Sequence, residues 1–160
     1  MVNVRRSDRA FLAQAALAIT LAILGTAVMS VRGLAMTEEA SKAKRPAEGE
    51  FGLGPRASAD GRYLATLEPA ESLRTRKLLT LRVRITDAAG NSVDGAQLAI
   101  DGGMPQHGHG LPTSPRVTKS LGDGRYEIEG LRFSMGGWWE LRVSVSVGDG
   151  IDTITFNLQL

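Results

Sequence analysis

The chain has no cysteine, only two histidines, and aromatic residues at just 5% of its length. Without cysteine there can be no disulfide, no thiolate metal site and no cysteine nucleophile. A folded domain must then be held by its apolar core alone, for which about 100 residues suffice. Catalytic signatures are missing as well. No GxSxG elbow surrounds Ser114, Asp101 and Asp123 have no paired-carboxylate context, and HExxH, P-loop and dinucleotide fingerprints are absent. An enzyme is therefore not expected. The body of the chain also lacks an excess of positive charge. Residues 1–35 carry four Arg against one Asp, whereas the rest carries 15 Lys and Arg against 16 Asp and Glu. Nucleic-acid binding calls for a concentrated basic footprint on a folded surface, so no nucleic-acid partner is expected.

What is present begins with a long hydrophobic run. The 22 residues from Ala10 to Val31 carry no charge. As a helix they cover roughly 33 Å, enough to cross a bilayer core of about 30 Å. A secretory signal has a shorter apolar stretch, although Gly33-Leu34-Ala35 offers small residues for a cut. Residues 1–35 are thus expected to form an N-terminal transmembrane or signal helix, and length favours a retained anchor. Arg5, Arg6 and Arg9 crowd the leading flank, placing the N-terminus inside and the remainder outside. The expected location is the inner membrane, single-pass, with the C-terminal domain in the periplasm.

Residues 36–60 are rich in Ala, Glu, Lys, Gly and Pro and read as a flexible linker. From residue 61 the hydrophobic period becomes two. Leu79, Leu81, Val83 and Ile85 alternate with polar residues, as do Trp139, Leu141, Val143, Val145 and Val147. Further strands are expected at 62–67, 93–100, 116–120, 125–133 and 154–160. Seven strands in about 100 residues predict an all-β domain over 61–160, an immunoglobulin-like antiparallel β-sandwich with almost no helix. Arg74, Arg76, Lys77, Arg82 and Arg84 form its one basic cluster. Such a cluster is either a docking surface for an acidic partner or, more simply, a strand face and its preceding loop kept charged for solubility.

One segment, residues 101–115, reads as a loop and concentrates unusual chemistry. It holds both histidines, four glycines and three of the six prolines. His107 and His109 flank Gly108, and Met104 precedes them by three residues. Imidazole suits copper, zinc, nickel and iron, while a thioether selects the soft cuprous ion. A second methionine, Met135, opens another glycine-rich corner, Gly136-Gly137-Trp138-Trp139. The same residues have a plainer use. The histidines can fix a turn by bonding backbone carbonyls, and the methionines can fill the core. Of the two tryptophans, one is expected in the core and one at the surface. Asp101 is placed to orient a histidine.

Three stretches together resemble a known family: residues 94–115 with the Met-Pro-x-His-Gly-His-Gly run, residues 122–133, and Met135-Gly-Gly-Trp-Trp-Glu-Leu. They are similar to the YtkA-like domain family, related to the FixH-like proteins, over roughly residues 61–160. Gly136 stands where a proline is common in that family. The resemblance implies an exported, often membrane-anchored sandwich, and its FixH-like members are associated with assembly of copper-containing haem oxidases. It carries over Met104, His107, His109 and Met135 as candidate copper ligands, and a membrane oxidase or a copper-handling protein as partner. The alternative is a structural or protein-interaction module in which the His-Gly-His segment is an ordered docking turn.

The hydrophobic run predicts a topology. The full chain should sediment with membranes, and residues after Met36 should be cut by protease added to intact spheroplasts. Protection of the domain there would contradict the orientation, and a soluble chain starting near Met36 would show that the run is removed.

Overall fold

A computed structural model describes residues 43–160. The expected anchor or signal helix over 1–35 lies outside the described residues. Nine strands are formed: β1 (Arg56–Ala57), β2 (Tyr63–Pro69), β3 (Leu78–Asp87), β4 (Gln97–Met104), β5 (His109–Gly110), β6 (Arg116–Gly122), β7 (Arg125–Arg132), β8 (Trp138–Val147) and β9 (Gly150–Gln159). Among the described residues the only helical element is a single 3-10 turn, Glu48–Glu50. The described residues are all-β, with two more strands than the seven expected; both extra strands, β1 and β5, are two residues long.

Apolar side chains at every second position can all be buried only if each strand lies on a sheet with one dry face. That is what forms. One sheet has the order β1-β2-β3-β7-β6 and the other β5-β4-β8-β9, with every pairing between these strands antiparallel. Leu81, Val83, Ile85 and Ile128 from the first sheet share one buried cluster with Leu141, Val143, Ile154 and Phe156 from the second. The two sheets therefore lie face to face. Phe133 and Trp139 meet edge to face at 5.2 Å and 68°, closing the core at one end. At the other end the Tyr126 hydroxyl donates to the Val93 carbonyl (2.7 Å) and accepts from the Ala96 N–H (3.0 Å). Residues 93–96 are thereby held as a loop, and β4 starts later than the 93–100 expected from periodicity.

The domain also begins earlier than residue 61. Gly52 N–H donates to the Asn157 carbonyl (2.9 Å), Leu67 N–H to Leu53 (2.7 Å), and Ala59 N–H to Thr153 (2.9 Å). Residues 51–60, expected to belong to a flexible linker, form an arm bonded to both β2 and β9. Its far end is pinned by Asp152, a carboxylate only 3% exposed. Asp152 accepts from the N–H groups of Asp60 (3.1 Å) and Thr153 (2.8 Å) and lies 3.6 Å from the Arg62 guanidinium. Burial pushes its carboxyl up, but the bonds from Ser58, Asp60 and Thr153 outweigh burial and hold it below the usual carboxylate range.

The register of β8 makes a direct prediction. Val143 is fully buried while Ser146 points outward. A Val143→Asp exchange places a carboxylate in the core at a cost of several kcal/mol, against total domain stabilities of about 5–15 kcal/mol. It should abolish the cooperative thermal transition. Ser146→Asp should shift stability by no more than about 0.5 kcal/mol. Equal tolerance of the two would show the register to be wrong.

Candidate metal site

Strand directions bring three loops to one end of the sandwich: residues 70–77 between β2 and β3, 105–108 between β4 and β5, and 133–137 between β7 and β8. The segment read from sequence as a single loop, 101–115, is largely a hairpin. Residues 101–104 complete β4, and His109–Gly110 return as β5. Two glycines permit this. A Cβ on Gly102 would lie 2.5 Å from the Glu140 carbonyl oxygen, and one on Gly103 would strike the His109 carbonyl oxygen. Only a bare backbone lets the neighbouring strands approach so closely.

The turn itself is tightly bonded. The Met104 carbonyl accepts from the N–H groups of both His107 and Gly108, each at 3.0 Å. Gly108 has φ 66°, the left-handed conformation that glycine adopts freely. Beyond it Met104 pairs with His109 and Gly103 with Gly110. The two imidazoles come together, with ring centroids 6.1 Å apart and planes within 5° of parallel. Both histidines are exposed.

The methionines take different positions. Met104 is buried at 1% exposure and belongs to the core cluster. Its methyl group points toward the second glycine-rich corner, where a Cβ on Gly137 would lie only 2.8 Å away. Gly137 exchanges two backbone bonds with Leu160, at 2.8 and 3.1 Å, which fixes that corner against the end of β9. Met135 sits two residues earlier and is 40% exposed. Its carbonyl accepts from Trp139 Nε1 at 3.0 Å. The hairpin and the Met135 corner thus adjoin through Met104 and Gly137.

An open groove of about 360 Å³ runs beside the turn, with Met104, Pro105, His109, Asp101, Glu140 and Arg142 in its lining. The last two were not singled out in the sequence, where they read as ordinary outward residues of an alternating strand. Arg142 bonds Asp101 at 2.6 Å and reaches Glu140 at 3.5 Å. The Arg142 guanidinium holds the Asp101 carboxyl below the usual range. Asp101 is therefore engaged with arginine, where a role in orienting histidine had been expected. Trp138 also departs from expectation. Both tryptophans are buried, and Trp138 donates through Nε1 to the Asn157 side chain at 3.0 Å.

Among the described residues no group of three or more His, Asp or Glu converges as a metal cage would require. What the turn offers is two neighbouring imidazoles, with thioethers in the adjoining layer. Chemically that set fits a soft ion of low coordination number better than a hard one. Comparison with known proteins gives one finding: a family model described as YtkA-like matches residues 57–144. No curated protein and no solved structure matches the chain.

Proposed function

The chain belongs to the YtkA-like family, and from that premise we propose that it is a membrane-tethered periplasmic accessory protein holding copper, in the cuprous state, at the His107–His109 turn. In this reading residues 1–35 are the anchor, and the sandwich is immunoglobulin-like. The order β2-β3-β7-β6 against β4-β8-β9 supports the latter, since it matches the seven-strand arrangement of four strands facing three. The observation that carries the copper reading is the imidazole pair. Two imidazoles bonded at about 2.0 Å on opposite sides of one ion have centroids about 6 Å apart. The rings here stack nearly parallel at a centroid distance of 6.1 Å, a spacing from which both side chains can turn a nitrogen onto one ion. A straight two-nitrogen arrangement is the geometry a two-coordinate cuprous ion takes. Met135, exposed at the adjoining corner, is the natural third ligand, and Met104 lies with His109 in the lining of the groove beside the turn. Copper supplies redox and transfer chemistry when bound; the protein's part is to hold it in a soft, open site from which a membrane oxidase or another copper-handling protein takes it.

The test is competition of the full chain, in detergent, against a cuprous chelator. The wild-type protein should retain one equivalent. Replacing both His107 and His109 by Ala should reduce affinity by more than the roughly 10–100-fold that outer partners of a metal site are worth. Met135→Ala should fall between the two. Because a coordinating nitrogen must have lost its proton, retention should also decline on acidification. If wild type and double mutant hold the same copper, or neither holds any, the turn is a docking element of an interaction module instead.

A further inference from the structure

Resting on the membrane reading above, we propose that the end of the sandwich bearing the histidine turn docks onto an anionic lipid surface through Arg74, Arg76, Lys77 and Arg132, around the exposed Leu78. The domain is nearly neutral in sum but strongly polarised in space. Asp60, Asp87, Asp94, Asp123, Asp149 and Asp152 lie at the far end, in its turns or the strand ends beside them. At the near end the loops 70–77, 105–115 and 133–137 contain one acid, Glu71, already joined to Lys77 at 2.6 Å, and the acids on the strand ends behind them, Glu68, Asp101 and Glu140, are engaged by Arg125 and Arg142.

Within the described residues, ion pairing engages some of the cations and leaves others free, Arg56, Arg84 and Arg116 among the latter. Arg62, Arg82, Lys119, Arg125 and Arg142 each meet a carboxylate. Among the described residues Arg74, Arg76 and Arg132 meet none within 4.0 Å, and all three are exposed. Two further features mark this end as more than solubilising charge. Leu78, paired across the sheet with Arg132, is 63% exposed, a large apolar side chain set among cations. Arg76 has φ 62°, a conformation in which glycine or asparagine is far easier to hold. Its backbone N–H is fixed to the Phe133 carbonyl at 2.7 Å, so the loop is locked with that arginine turned out. Holding arginine in this conformation costs strain that glycine would avoid, which points to a use for its side chain.

Cations clustered around an exposed apolar residue match the headgroup region of an anionic bilayer, where each Lys or Arg raises partition on the order of fivefold. The chain also joins the sandwich near this end, since Gly52 and Leu53 bond Asn157 and Leu67, late in β9 and β2. Docked this way, the imidazole pair would lie close to the lipid, where a membrane-embedded partner presents itself.

The absence of native cysteine allows unique labels. The full chain carrying a fluorophore at Leu78→Cys or at Asp123→Cys is mixed with vesicles of phosphatidylcholine alone, or with 3:1 phosphatidylcholine to phosphatidylglycerol, containing headgroup spin-labelled lipid (roughly a quarter anionic charge, to match a polybasic surface). Vesicle flotation reports separately whether the chain is anchored. Quenching at residue 78 should rise several-fold with the anionic lipid and fall with added salt, while residue 123 stays unquenched. Arg74→Glu with Arg76→Glu should remove the rise; the charge-matched pair Arg56→Glu with Arg84→Glu should leave it. Flotation without selective quenching at residue 78 would overturn the docking while leaving the anchor intact. Selective quenching without flotation on neutral vesicles would sustain the docking and remove the anchor. If the label at residue 78 responds to poly-glutamate and not to anionic vesicles, the surface fits an acidic protein and the lipid proposal fails.

Discussion

Met104 and His109 face one another on the same rung of the β4–β5 ladder, and most of the chemistry at this end depends on that pairing. Directly opposed residues of an antiparallel pair point to the same side. Met104 is part of the core, so its rung cannot slip without exposing a large apolar side chain, and a one-residue slip would invert every side chain on β4. The imidazole at 109 is thereby tied to the register of the whole sandwich. The Met104 carbonyl completes the constraint by accepting from His107 and Gly108, which sets the second imidazole beside the first. A site on a loop of free backbone would need to be ordered by its ligand; this one is ordered by the core.

The same end is bound together from three directions. Gly137 meets the Met104 methyl and bonds Leu160, while the Arg76 N–H bonds Phe133. Phe133 in turn packs on Trp139. Loops far apart in sequence are thus joined by contacts that tolerate little movement. The distribution of charge follows the same axis, with the exposed Arg74, Arg76 and Arg132 at this end and six of the described aspartates at the other. A nearly neutral domain can in this way orient itself in a field that its net charge would not feel.

Much of the fold was legible in the sequence because burial on one face imposes a period of two. The alternations at Leu79–Ile85 and Trp139–Val147 became β3 and β8 almost residue for residue. Where the reading went astray, glycine or a tertiary bond was responsible. Gly102 and Gly103 have no side chain to register in an alternating pattern, so a strand end looked like loop; their value is the close approach of Glu140 and His109 backbone. The arm at 51–60 contains few large apolar residues and is held by backbone bonds and Asp152, none of which leaves a mark in hydropathy. The start of β4 moved because one distant hydroxyl, that of Tyr126, captured Val93 and Ala96. At the site, residue type singled out His107, His109, Met104 and Met135, but sequence could not distinguish the buried thioether from the exposed one, nor foresee that Asp101 would be engaged by Arg142.

The central claim is that the turn presents two neighbouring imidazoles able to hold one soft ion. X-ray absorption of the copper-loaded full chain tests it most directly, because the spectrum counts the donor atoms and identifies their elements. The account predicts a cuprous edge, two nitrogen neighbours at about 2 Å in a nearly straight arrangement, and at most one sulfur from Met135. A four-coordinate shell of nitrogen and oxygen, or a shell unchanged when His107 and His109 are replaced, would contradict it.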